Sequence, residues 1–234
     1  MTDNVLAALA RYDTPTVCNA IETFDIRSRD EGFASSEIRC VFPDLGVMVG
    51  YAATATIRGR GTPEHDYGVE PLVAHLVQVP GPRVVVVQDL DDQPGHGSLW
   101  GEVSANLFTK LDCLGAVTNG CVRDLTEAHD LGFRFFSGSV GVSHANVRVE
   151  SAGEPVRIGG LTVRPGDIIH ADQHGVLVVP AEIAADVPAA ADRIVAQEQK
   201  LIGWMRSPQF SMNGLADAWR QATEADTKET GNVS

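Results

Sequence analysis

Residues 82–124 read PRVVVVQDLDDQPGHGSLWGEVSANLFTKLDCLGAVTNGCVRD, two short apolar runs joined by a loop and a helix-patterned stretch. Val84-Val85-Val86-Val87 follows Pro82-Arg83 without polar alternation, the pattern of a strand buried on both faces. In residues 89–102 glycines and a proline punctuate a loop, and the apolar periodicity of 103–111 then predicts a helix. Gly115 to Val122 reads as a second buried strand that ends in a turn. Strand, glycine-rich loop, helix and strand form a unit that commonly builds a small-ligand site.

Outward from this unit the rhythm of strand and helix continues. Val5 to Ala10 is expected to be helical, and Thr14-Pro15-Thr16 is a start signal for a helix through Glu22. Residues 46–58, GVMVGYAATATIR, predict a strand, and Leu72, Val73, Leu76 and Val77 give 70–79 helical spacing. Asp124 to Leu131 predicts a helix stopped by Gly132. Beyond it, 133–136, 147–150, 156–158, 161–163, 167–171 and 175–179 are short strand candidates between Gly, Pro and Asp turns. A last helix is expected from Pro180 to about Met205, and residues 223–234 read as a polar tail. With no internal repeat, the expectation is one α/β domain with a mixed sheet over residues 1–222.

Composition sets the class. Of 234 residues, 44% are hydrophobic and 21% charged, enough apolar surface to bury a core. The 18 Lys+Arg against 31 Asp+Glu give a net charge of −13, whose field repels nucleic acid and anionic membranes, so neither is an expected partner. A small anionic substrate meets the same repulsion and needs a local arginine, backbone N–H groups or a metal ion. The N-terminus lacks a basic segment before an apolar one, and no apolar run reaches the ~18 residues of a membrane span, so a cytoplasmic protein is expected. Cys18, Cys40, Cys113 and Cys121 have no C-x-x-C spacing and are read as buried small apolar residues.

Chemistry-bearing residues concentrate between Gly95 and Glu127. Glu102 begins one helix, Arg123-Asp124 follows a buried strand, and Glu127 stands three residues on, sharing a helical face with Asp124. The twenty residues between Glu102 and Arg123 span about one helix and one strand, enough to return the chain beside its starting loop. Cleaving a C–C bond next to a 2-oxo acid leaves an enolate, whose charge calls for a cation placed in advance. A metal on Asp124 and the guanidinium of Arg123 could serve, while backbone N–H groups around Val103 and Ser104 could hold a substrate carboxylate. An Arg-Asp pair at such a junction is also an ordinary helix-start carboxylate with a surface ion pair.

Trp100-Gly101-Glu102, the run from Gly115 to Glu127 and Leu131-Gly132-Phe133 resemble the signature segment of the RraA-like family, which includes 4-hydroxy-4-methyl-2-oxoglutarate aldolases. Asp13 to Val17, Val49 to Thr54, Val163 to Asp167 and Ala171 to Pro180 extend the resemblance over most of the chain. It implies a swivelling β/β/α fold and a class II, metal-dependent aldolase that releases pyruvate from 4-hydroxy-2-oxo acids of the 4-hydroxy-4-methyl-2-oxoglutarate type and also decarboxylates oxaloacetate. By the same resemblance Asp124 ligates Mg²⁺ or Mn²⁺, Arg123 contacts the pyruvyl oxygen, and Glu102 and Glu127 hold metal-bound waters; the candidate substrate-binding residues are Gly101, Glu102, Val103, Ser104 and Arg123. The aldolase pattern has Asp where this chain has Glu102, which keeps the charge and moves the carboxylate by about one C–C bond. A regulatory branch that binds an endoribonuclease tends to have glycine there, so a non-catalytic binding protein is the alternative that Glu102 argues against. The resemblance also implies a homotrimer or dimer of trimers, with Glu198 on the C-terminal helix reaching a neighbouring subunit's site.

Other candidates carry less. His96 is near enough in sequence to touch the pocket, and His65 and Asp66 could extend its rim. His170, Asp172 and His174 suggest a metal cluster by composition, but strand alternation is expected to separate neighbours and the resemblance makes this a structural strand-turn. Lys110, Lys200 and Lys228 give no buried Schiff-base lysine. No strand enters a G-x-G-x-x-G nucleotide loop and no serine or cysteine sits in a nucleophile elbow.

Overall fold

The computed structural model describes residues 2–62 and 68–224, so His65, Asp66 and most of the polar tail lie outside the described residues. Helices α1 (Thr2–Leu9) and α2 (Thr14–Glu22) open the chain, followed by β1 (Arg39–Cys40), β2 (Met48–Arg58) and α3 (Glu70–Leu76). The central unit is β3 (Arg83–Asp89), α4 (Glu102–Lys110), β4 (Cys113–Val122), α5 (Leu125–Asp130) and β5 (Arg134–Val140). Five short strands follow: β6 (Arg148–Ala152), β7 (Val156–Ile158), β8 (Leu161–Val163), β9 (Ile168–Asp172) and β10 (Gly175–Val179). Helices α6 (Val187–Met205) and α7 (Leu215–Glu224) complete it.

The sheet is mixed, as expected. Strands run in the order β1-β5-β4-β3-β2-β9-β10, with β2 to β5 parallel and β1, β6, β9 and β10 pairing antiparallel. Strand β2 is long enough to take two partners on one edge, β9 along Met48–Tyr51 and β6 along Ala55–Arg58. The β7–β8 hairpin forms a separate small sheet.

The valine run explains the layering. Val85 and Val87 face Leu72, Leu76, Phe108 and Ala128 of the helices, while Val84 and Val86 face Val156, Ile158, Leu161 and Ile169 of the hairpin and β9. All four valines are fully buried. Each contributes about 1.5–3 kcal/mol relative to exposure, which holds β3 at the centre. A separate cluster packs α1, α2 and α6 on Val49, Leu177 and Val179.

Two boundaries differ from expectation. Helix α6 starts at Val187, because residues 181–186 form turns that bury Ile183 and Ala184. Residues 215–224, partly assigned to a tail, form α7, which packs on α6. Of the cysteines, Cys113 and Cys121 are buried as read, whereas Cys18 and Cys40 are only half-buried.

His170, Asp172 and His174 lock α2 to the sheet. Strand alternation does not separate them, since positions 170 and 172 share a face and both meet Thr14. The Thr14 hydroxyl lies 3.0 Å from His170 Nδ1, and its backbone N–H donates to Asp172 Oδ2 at 2.9 Å. Asp172 Oδ1 accepts from the His174 backbone N–H at 2.8 Å and lies 3.1 Å from its Nδ1. Burial holds the His170 pKa below its ordinary value. Burial pushes Asp172 up, but the hydrogen bonds from Thr14 and His174 outweigh it and leave the carboxyl below its usual range.

Both shifts make the folded chain reluctant to take up protons. Their stabilisation is whole above about pH 6.5 and drains as acid protonates first the histidine of the unfolded chain, then below about pH 4 the aspartate. His75, also lowered by burial, acts in the same sense, and His129, raised by Asp44, in the opposite one. Comparison with His170→Gln cancels both. The melting-temperature advantage of the wild type is expected to shrink as pH falls from 7.5 to 5, and a constant advantage would refute the role given to His170.

Candidate active site

The carboxyl ends of the parallel strands are where open α/β sheets place ligands. Here β4 carries a bulge at Asn119-Gly120 opposite β5, and its last residue Val122 pairs with Trp100 of the incoming loop. The loop is tied down by buried groups. Asp89 accepts from the N–H groups of Asp91 and Gly95, at 3.0 and 2.7 Å, and Gly95 takes the positive φ of +92° that the turn needs. The Asn119 side chain extends the ladder by accepting from Asp89 N–H at 2.7 Å and donating to its carbonyl at 3.0 Å. The buried Ser98 hydroxyl shares its hydrogen between the carbonyls of Trp100 and Cys121, at 2.7 and 2.8 Å.

This clamp brings the loop's end onto Arg123 and Asp124. The Arg123 N–H donates to Trp100 O at 3.1 Å, and Arg123 Nε lies 3.7 Å from Asp124 Oδ2, each side chain about one-third exposed. Gly101 is the surface they rest on. A Cβ there would come within 2.5 Å of Asp124 Oδ2 and 3.1 Å of Arg123 Nε.

Asp124 does not share a helical face with Glu127. It precedes α5 in the left-handed conformation, φ 53° and ψ 51°, and makes no side-chain cap of its own helix. That turn sends its carboxylate back to α4, where Oδ2 accepts from the Glu102 N–H at 2.9 Å. A left-handed aspartate costs more than glycine there.

A cleft of about 230 Å³ opens beside the pair, lined by Gly101, Val103, Ser104 and Arg123 among the expected residues. Ser104 Oγ accepts from Gly101 N–H at 2.9 Å, and among the described residues the Val103 and Ser104 N–H groups have no acceptor. Two unspent donors at the start of a nine-residue helix beside a guanidinium suit a carboxylate.

The side chains of Glu102, Glu127, Glu198 and His96 do not line the cleft. The Glu102 and Glu127 side chains are exposed, and among the described residues no three His, Cys, Asp or Glu side chains converge as a metal cage. Glu198 is exposed on α6, which packs on α1, α2 and α7 rather than on α4 or α5. His96 is exposed and outside the cleft.

His144 lines the cleft instead, together with Val69, Leu99, Leu107 and Val147. Nothing in its neighbourhood Ser143-His144-Ala145 marks it, because its approach depends on the loop after β5 closing onto Ser98, whose N–H donates to Ser143 O at 3.0 Å. His144 Nδ1 lies 2.8 Å from the Ala145 carbonyl, which can only accept, so Nδ1 carries the proton and Nε2 is the ring's acceptor when the ring is neutral.

Known proteins are similar to this chain in sequence and in fold. A "Putative 4-hydroxy-4-methyl-2-oxoglutarate aldolase" of Deinococcus radiodurans is 33% identical over 114 residues, covering 48% of this chain and 70% of that protein. Protein DlpA of Legionella pneumophila is 31% identical over 117 residues, which are 48% of this chain and 18% of DlpA, so the chain spans under a fifth of that relative. Among solved structures, Streptomyces coelicolor RraAS2, described as an unusual member of the RNase ES inhibitor RraA protein family, superposes with a TM-score of 0.68 at 23% identity over 87% of this chain and 96% of that one. The family model for RraA-like proteins, Aldolase/RraA, matches residues 14–178, from the start of α2 through nearly all of β10 and across the whole Gly101–Asp124 constellation, so the chain belongs to the RraA-like family.

Proposed function

We propose that this protein is a divalent-metal-dependent carbon–carbon lyase that releases pyruvate from 4-hydroxy-2-oxo acids and decarboxylates oxaloacetate. The observation that carries it is the Arg123–Asp124 pair seated on Gly101 beside the two unspent N–H donors of α4. Relatives named as aldolases support the same reading.

The donor set fits Mg²⁺ or Mn²⁺. Mg²⁺ is commonly held by one or two carboxylates with several waters, so Asp124 as ligand with the exposed Glu102 and Glu127 steadying waters needs no three-residue cage. When bound, the ion supplies a Lewis acid for the 2-oxo oxygen. The N–H groups of Val103 and Ser104 bind the substrate carboxylate, and Arg123 places its charge at the 2-oxo oxygen. The C4 hydroxyl gives its proton to a base, for which the Glu102 carboxylate and His144 Nε2 are the two candidates. The C3–C4 bond breaks with its electrons passing to C3 as an enolate, C4 becomes a carbonyl, and a proton added at C3 completes pyruvate. Oxaloacetate loses CO₂ to the same enolate. Arg123 stabilises that charge in a site partly shielded from water, where such interactions strengthen.

A homotrimer or dimer of trimers, with Glu198 of one subunit completing the site of the next, belongs to this proposal, as does a cytoplasmic location. No helix among the described residues is long and apolar enough to cross a membrane. The competing reading, a non-catalytic regulatory binding protein, draws on the fold shared with RraAS2, and Glu102 speaks against it. The purified chain with Mg²⁺ or Mn²⁺ is expected to form pyruvate from oxaloacetate and from a 4-hydroxy-2-oxo acid, and to stop when the metal is chelated. No turnover on either, with no metal binding by calorimetry, would favour the regulator.

A further inference from the structure

We propose that the cleft selects 4-hydroxy-2-oxo acids whose C4 substituent is a short uncharged alkyl group, so that the second product is a small apolar aldehyde rather than an oxo acid. This rests on the lyase reading and deepens it. The cleft's polar equipment is consumed by the 2-oxo acid head: Arg123 at the oxo oxygen and the Val103 and Ser104 N–H groups at the carboxylate. What remains of the described lining is Val69, Leu99, Leu107 and Val147, with His144 as its one further ionisable group. The Ser98 hydroxyl, also on the wall, is spent on Trp100 and Cys121. A second carboxylate would therefore lie against valine and leucine, with no further arginine or lysine among the described residues that line the cleft. The net charge of −13 adds to that penalty. A short alkyl group gains from the same wall, and a cleft of about 230 Å³ is on the scale of a small acid.

The test measures pyruvate release by the full chain with Mg²⁺ from 4-hydroxy-2-oxopentanoate, 4-hydroxy-2-oxohexanoate and 4-hydroxy-2-oxoheptanoate, beside 4-hydroxy-2-oxoglutarate and oxaloacetate. The C4 groups of the first three are methyl, ethyl and propyl, and that of the fourth is a carboxylate. From methyl to propyl, kcat/KM is expected to rise about threefold per methylene. The propyl substrate should exceed the carboxylate substrate by at least about tenfold. Leu107→Arg, at a partly exposed helix position, should reverse that ranking by giving the second carboxylate a partner. If that variant is inactive on every substrate, the wild-type ranking decides alone. A preference for 4-hydroxy-2-oxoglutarate, no rise with chain length, or turnover of oxaloacetate alone would each overturn the alkyl proposal and leave the lyase reading standing. No pyruvate from any of the five substrates would overturn both.

Discussion

Asp124→Asn is expected to cut pyruvate release by roughly a thousandfold while leaving the melting temperature within a few degrees of wild type. The substitution separates structure from charge. Asparagine keeps an oxygen for the Glu102 N–H that Asp124 Oδ2 now accepts at 2.9 Å, and it tolerates the left-handed backbone at φ 53° as readily as aspartate. What it loses is the negative charge that would hold a divalent ion and face Arg123. Asp124→Ala should be worse in stability, because it removes the acceptor and places a residue averse to φ > 0 at that turn. Near-normal turnover in Asp124→Asn would remove the metal from Asp124. The same variant tests assembly when exchanged with Glu198→Ala, since only mixed oligomers contain an interface where intact Asp124 meets intact Glu198. Activity above both parents is expected, and its absence in a sample shown to have exchanged subunits would confine the site to one chain.

The layers of this fold were legible because burial writes itself into composition. Val84 to Val87, a short apolar run bounded by turn residues, reads as a strand covered on both sides. Arg123 and Asp124 could be placed at the end of β4 for the same reason. The direction of the Asp124 side chain could not, since a single left-handed residue reverses it and any short polar residue reads alike in that position. His144 was invisible because its role comes from a loop closure between residues 98 and 143, a long-range hydrogen bond with no local signal. Asp89 and Asn119 read as loop and strand polar residues, yet their side chains build the clamp through contacts thirty residues apart. The late start of α6 has a similar origin, with Ile183 and Ala184 buried by turns whose composition resembles a first helical turn.

Gly101→Ala should reduce kcat/KM by about a hundredfold with only a small loss of stability. The backbone itself permits alanine, because φ −165° and ψ −167° are extended values open to any residue. The obstacle is the space beyond. The new methyl would stand 2.5 Å from Asp124 Oδ2 and 3.1 Å from Arg123 Nε, closer than carbon tolerates, and both contacts are with the working ends of side chains about one-third exposed. Such groups can move outward, so the fold survives at the expense of the geometry. An alanine at a helix N-cap is also poorer than glycine, typically by less than ~1 kcal/mol, which sets the scale of the expected stability loss. Displacing the carboxylate and guanidinium by about an ångström breaks their alignment with the Val103 and Ser104 N–H groups, and misplacement on that scale is costly in catalysis. Full activity in Gly101→Ala would show that the pair is not held where the chemistry needs it. A melting temperature that collapses as far as the activity would instead make Gly101 a packing glycine whose proximity to the site is incidental.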